Sequence, residues 1–134
     1  MTAEISIGEL ARLSGVKVPT IRYYEDAGLL PAPTRTGGQQ RRYGAAAVAR
    51  LNFIRHARVL GFEMAAVREL LALREQPDHP CTDVDGIARR HVADIDRRIA
   101  QLTALRRELQ RALDSCGRGR VGDCHIIEAL AASE

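Results

Sequence analysis

Tryptophan is absent from this 134-residue chain, and aromatic side chains make up only 4% of it. A β-sandwich or barrel draws on aromatic and β-branched residues, so the shortage predicts a core of Leu, Ile, Val and Ala carried on helices. No apolar run approaches the roughly 20 residues of a membrane-spanning helix, and no basic segment followed by an apolar one opens the chain. These absences predict a soluble, cytoplasmic protein with no membrane partner. Cysteine occurs three times, an odd count that suits reduced thiols better than a disulfide framework. The length allows one small domain and an appended helix but not two full cores, so a second copy is expected to complete the burial.

What is abundant is arginine, and its distribution is uneven. Residues 1–60 carry nine Lys/Arg against four Asp/Glu, whereas the rest carries eleven against thirteen. A basic module that meets a polyanion, joined to one that does not, has this profile.

The acidic half is dominated by one amphipathic segment, Val84 to Leu113. Ala88, Ile95, Leu102 and Leu109 occupy one heptad position, and Val92, Ile99, Leu105, Ala112 and Leu113 occupy adjoining ones, an apolar stripe at coiled-coil spacing. Such a helix wants a partner helix. Cys81 and Cys116 are 35 residues apart, a whole number of heptads, and lie on the phase of the same stripe. A continuous helix would hold the two thiols of one chain about 50 Å apart. An antiparallel partner brings Cys81 of one subunit beside Cys116 of the other, twice per homodimer. The plainer alternative is a dimerisation helix with incidental cysteines.

In chain order, Ser6 and Glu9 make a capping box ahead of Ile7, Leu10, Ala11 and Leu13, and Gly15 supplies a stop. Pro19 suits the first turn of a second short helix that runs to Gly28, with Thr20, Arg22 and Tyr23 outward and Ile21 and Tyr24 inward. Two short helices joined by a tight glycine-containing turn form the helix-turn-helix pattern, whose second helix reaches base edges and phosphates of double-stranded DNA. Thr34 to Tyr43 reads as a small basic hairpin turning at Gly37-Gly38, with Arg35, Arg41 and Arg42 on its arms. A third helix, about Ala45 to Arg58, offers Val48, Leu51, Phe53, Ile54 and Val59 or Leu60 to the core. A fourth, Glu63 to Arg74, offers Met64, Val67, Leu70 and Leu71. Pro77 and Pro80 break the chain before the long helix. The expected organisation is a winged helix-turn-helix domain with a helical extension over residues 1–75, a linker and dimerisation helix over 76–115, and a loop with a short helix over 116–134.

Ile21-Arg22-Tyr23-Tyr24-Glu25, Gly28-Leu29-Leu30, Arg41-Arg42-Tyr43, Arg58, Leu60-Gly61-Phe62 and a long helix ending at Cys116 together resemble the MerR family of transcription regulators across essentially the whole chain. The resemblance implies a mainly α fold: a winged helix-turn-helix dimer joined by an antiparallel coiled coil, with an effector site at the helix ends. It implies DNA contacts from Thr20, Arg22, Tyr23, Arg35, Arg41, Tyr43 and Arg58, most of them to phosphates that fix register. It implies activation in which effector binding untwists and bends a palindromic promoter so that RNA polymerase engages both promoter elements. The chain departs from the family at the wing, which usually reads Asn-Gly-Tyr-Arg and here reads Gly38-Gln39-Gln40-Arg41, without the tyrosine.

Cys116 and Cys124 enclose Gly117-Arg118-Gly119-Arg120-Val121-Gly122-Asp123, whose three glycines allow close wrapping around something small. Thiolates select soft or borderline cations such as Zn, Cd, Pb, Hg or Cu(I). A redox disulfide between Cys116 and Cys124 is the alternative. By resemblance, a cysteine at position 81, contributed by the partner subunit, marks the divalent sensors of Zn, Cd, Pb and Hg, because the copper, silver and gold sensors carry serine there. The eight-residue step from Cys116 to Cys124 nevertheless resembles the Cu(I)/Ag(I) branch. His125 and His79 are candidates for an additional ligand, Asp123 for a hydrogen bond or a helix cap, and His91 for packing on the seam. The short last helix, Ile126 to Ala131, is expected to dock Ile126, Ile127 and Leu130 on the dimer. An enzyme using either loop cysteine with His125 or His91 would need an orienting third residue and an oxyanion turn. The sequence offers neither, so no enzymatic activity is expected.

Overall fold

The computed structural model describes residues 4–31, 34–35, 41–115 and 119–132. In order the elements are α1 (Ile7–Ser14), α2 (Val18–Asp26), β1 (Thr34–Arg35), β2 (Arg41–Arg42), α3 (Ala45–Val59), α4 (Met64–Arg74), α5 (Thr82–Asp114) and α6 (His125–Ala131), with one 3₁₀ turn at Val121–Asp123. The chain divides into two compact units between Val84 and Asp85.

In the first unit, Ser6 Oγ accepts from the Glu9 amide at 3.2 Å and starts α1. Gly15, at φ 73°, ends it in the left-handed conformation, with its amide bonded to Ala11. Proline in the first turn opens α2, where its missing N–H would have no intrahelical partner anyway. Helix α1 packs on α2 and α3, and α3 packs on α4. Leu10, Ile21, Leu51, Ile54 and Val67 are fully buried at the centre, ringed by Tyr24, Leu29, Leu30, Tyr43 and Leu71. Each such aliphatic side chain contributes about 1.5–3 kcal/mol on burial.

Arg50 and Arg68 tie the end of α2 to the later helices. Arg50 donates through Nε to the Leu29 carbonyl and forms an ion pair with Glu75 at 2.8 Å, and Arg68 donates to the Ala27 carbonyl. Strand β2 is anchored from its far end, since Ile5 and Tyr43 exchange two backbone hydrogen bonds of 2.8 Å.

The sequence offers Val59 or Leu60 to the core, but neither is buried there. Leu13 is exposed, and Val59 and Leu60 are 73% and 65% exposed. On α3 the inward positions step from Leu51 to Ile54 to Ala57, which turns Val59 and Leu60 outward. Gly61, at φ 90°, then reverses the chain so that Phe62 packs on the core instead.

The 33-residue helix α5 begins directly after Cys81, as the proline break implies, and from Asp85 onward belongs to the second unit. Ile87 is buried, but Val92, Ile95, Ile99, Leu102, Leu105, Leu109 and Leu113 all lie exposed along the heptad stripe. Helix α6 packs on the 3₁₀ turn. An apolar groove of about 340 Å³ runs between Leu105, Leu109 and Ala112 of α5 and Ile126, Ala129 and Leu130 of α6. No helix among the described residues is long and apolar enough to cross a membrane.

Candidate nucleic-acid interface and metal loop

Helix α2 separates its side chains as the pattern requires. Ile21 and Tyr24 point into the core, Arg22 and Tyr23 are exposed, and Thr20 is half-buried. The Tyr23 ring lies 5.9 Å from that of Tyr24 at 54°, so the outer phenol is braced by the inner one. Strands β1 and β2 pair antiparallel, Thr34 with Arg42 and Arg35 with Arg41. That register places Arg35 and Arg41 opposite each other on the ribbon; their side chains, and the Gly37-Gly38 turn, lie outside the described residues. Arg58 is exposed and donates to the Phe62 carbonyl at 2.7 Å, which fixes its stem at the end of α3.

Tyr43 departs from its expected role. It is 2% exposed and its hydroxyl donates to the Glu25 carboxylate, so it joins β2 to the outer turn of α2 from within the core and presents no exposed face to a phosphate. Hydrogen bonds to charged groups contribute about 1.5–3 kcal/mol. Tyr43→Phe is therefore expected to lower unfolding free energy by about 2 kcal/mol while leaving the chain folded, as measured by urea denaturation.

Cys81 is exposed in the turn before α5. Its neighbour His79 is engaged, with Nε2 2.8 Å from Asp83 Oδ2. The i to i+4 spacing of His79 and Asp83 is the sequence signal for that pair. Cys124 is half-buried and occupies the N-cap position of α6, which begins at His125, without a side-chain capping bond. Cys116, with Gly117 and Arg118, lies outside the described residues. Among the described residues no group of three His, Cys, Asp or Glu side chains gathers in one place. Asp123 closes the 3₁₀ turn, its amide bonding the Arg120 carbonyl at 2.9 Å. His91 is half-buried on α5. At Gly119 and Gly122 no described atom lies within 4 Å of where a Cβ would stand. Of α6, Ile126 is half-buried while Ile127 and Leu130 are exposed.

Sequence reasoning missed Ser115. Its Oγ lies 3.1 Å from His125 Nδ1 and also donates to the Ala112 carbonyl at 3.3 Å. Nothing in the pattern pairs residues ten apart across a loop, although both are immediate neighbours of a loop cysteine.

A capped helix, a glycine turn and a second helix with arginine and tyrosine outward define a helix-turn-helix protein of mainly helical fold. The MerR HTH family regulatory protein profile matches residues 5–73, and the MerR DNA-binding profile matches residues 48–112. The chain belongs to the MerR family. It is 42% identical over 127 residues to the HTH-type transcriptional regulator HmrR of Rhizobium leguminosarum, covering 95% of this chain and 98% of that one. The crystal structure of the transcription regulator PbrR691 from Ralstonia metallidurans in complex with lead(II) superposes with a TM-score of 0.81 at 36% identity, covering 94% of this chain and 98% of the other. The regulator MerR of Bacillus megaterium in complex with mercury(II) gives 0.72 at 31% identity, covering 95% and 99%.

Proposed function

We propose that this protein is a metal-responsive transcriptional regulator: a homodimer on a palindromic promoter operator that activates heavy-metal resistance or efflux genes when a divalent soft ion binds. The observation that carries this reading is the placement of Cys81 and Cys124 at the starts of α5 and α6, together with an exposed apolar stripe on the helix between them. At about 1.5 Å per residue, 33 helical residues separate Cys81 from the loop of its own chain by roughly 50 Å. The stripe calls for a partner helix, and an antiparallel one supplies Cys81 of the partner subunit to Cys116 and Cys124.

The donor set fits the ion. Three thiolates suit zinc, cadmium, lead or mercury, with His125 or His79 as a further candidate donor. Relatives with 36% and 31% identity bind lead(II) and mercury(II), which supports the same class here. When bound, the ion supplies a cross-link between the two subunits. The chain's own part is to fix how the two DNA-binding units are held, and a few kcal/mol of differential affinity between two dimer geometries shifts the population on DNA. The resulting distortion of the promoter lets RNA polymerase engage. Arg22, Tyr23 and Thr20 on α2, Arg35 and Arg41 on the ribbon, and Arg58 at the end of α3 form the DNA face, with Tyr43 supporting it from beneath.

Transcription and operator binding titrated with Zn, Cd, Pb, Hg and Cu(I) under reducing conditions test this reading. Activation by one or more divalent ions is expected. The eight-residue step between the loop cysteines favours a second reading, a Cu(I)/Ag(I) sensor, and activation by Cu(I) alone would establish it. Activation by oxidant without any metal would make Cys116 and Cys124 a thiol redox sensor. Arg22→Ala is expected to weaken operator binding by about 1–3 kcal/mol and, if Arg22 grips phosphate, to lower the salt slope by about one. Gel-shift titrations at several salt concentrations read both quantities.

A further inference from the structure

The loop between Cys116 and Cys124 is bounded by two residues that touch. Ser115 follows the last residue of α5 and His125 is the first of α6, and the hydroxyl Oγ and ring Nδ1 stand 3.1 Å apart. The Ser115 hydroxyl is also within reach of the Ala112 carbonyl, at 3.3 Å. Which of Oγ and Nδ1 donates to the other follows the imidazole tautomer, and with either tautomer one hydrogen bond links the first residue of α6 to the end of α5.

We propose that Ser115 and His125 are the positioning pair of the metal loop: their hydrogen bond closes the loop's neck from outside the coordination sphere and sets the separation of Cys116 and Cys124 before the ion arrives. The proposal rests on the function proposed above for those two cysteines. Nine residues from Cys116 to Cys124 span up to roughly 27 Å when extended, whereas two thiolates on one zinc-sized ion sit about 4 Å apart. Bringing the ends together has an entropic cost, and a hydrogen bond between the flanking residues meets part of it in the ion-free chain. The pair acts through the cysteines, so its loss should weaken binding without altering the ligand set.

Two arms test this. In the metal-free Cys81→Ser protein, equilibration with glutathione measures the effective concentration of Cys116 with Cys124. Oxidised glutathione accepts two electrons and becomes two reduced molecules as the protein thiols lose two protons and join in one intramolecular S–S bond. Ser115→Ala and His125→Ala should each lower that concentration about tenfold, their combination should lower it no further, and Ser115→Thr should restore it. In the protein with all three cysteines, Ser115→Ala should weaken cadmium binding about tenfold, the lower end of the range for outer-shell partners. The cadmium–thiolate absorption and the X-ray absorption spectrum should keep their wild-type form. Equal effective concentrations in wild type, Ser115→Ala and Ser115→Thr overturn the proposal. So does a nitrogen neighbour at cadmium that disappears in His125→Ala, which would make the histidine a ligand. The glutathione arm needs no metal, so it decides the role of the pair even if the loop is found to bind no cadmium.

Discussion

Cys124→Ser is expected to abolish transcriptional activation by the effective divalent ion, raising the metal concentration needed for half-activation by more than about 100-fold, while operator binding without metal stays within about twofold of wild type. Outer-shell partners of a metal alone are worth about 10–100-fold in affinity, and a thiolate ligand exceeds them. Cys124 lies in the second compact unit, whereas the helix-turn-helix lies in the first, so its loss leaves the DNA-binding residues intact. Cys116→Ser and Cys81→Ser should behave alike, and that equivalence is the informative part. A site built from one chain's loop would need only Cys116 and Cys124 and would ignore Cys81. Mixed dimers, with Cys81→Ser in one subunit and the Cys116→Ser/Cys124→Ser pair in the other, sharpen the test. If each site draws Cys81 from the opposite subunit, such a dimer keeps one complete site and loses the other. Retention of metal response by all three single variants in a promoter assay would remove the shared site altogether.

Leu102→Asp should convert a dimer into a monomer and with it reduce operator affinity by at least about 100-fold. Leu102 is 65% exposed in the single chain, so the substitution removes little from that chain's own packing. In a paired helix, burying a leucine is worth about 1.5–3 kcal/mol, and both copies are lost together. The resulting 3–6 kcal/mol corresponds to roughly 10²–10⁴ in the dimer constant, before the added cost of burying a carboxylate. Sedimentation equilibrium reads the mass and thermal unfolding reads the fold. An unchanged mass at micromolar concentration would mean that the stripe on α5 is not the dimer interface. Arg89 and Asp85, an exposed i to i+4 pair at the start of the same helix, provide the control, since disrupting that pair should leave the mass unaltered.

Much of the helical framework was legible because local rules govern it. Ser6 with Glu9, Gly15, Pro19 and the proline break before Cys81 each act over one turn or less, and the elements begin and end at or within a few residues of them. The inward faces of α2 and α4 followed from spacing alone. The end of α3 was not legible, because placing Val59 and Leu60 outward requires knowing that Ala57 holds the last inward position and that Gly61 turns Phe62 back. Tyr43 was misread for a related reason. The resemblance implies a DNA contact for Tyr43, and only its backbone pairing with Ile5 and its bond to Glu25 show it buried. At the loop, residue type and spacing made Cys116 and Cys124 candidate metal ligands. Ser115 carried no such signal, since a serine after a helix is ordinarily a turn residue and its partner is ten positions away.

The uncovered seam along α5 has a consequence for the protein's life before it reaches DNA. A newly made chain carries seven exposed aliphatic side chains from Val92 to Leu113 with nothing laid over them. If α5 pairs with a second copy as proposed, pairing covers that stripe, and the persistence of the folded chain is expected to rise with the concentration of its own kind by mass action. Solitary chains would then be degraded faster than paired ones, enriching the surviving population in assembled molecules.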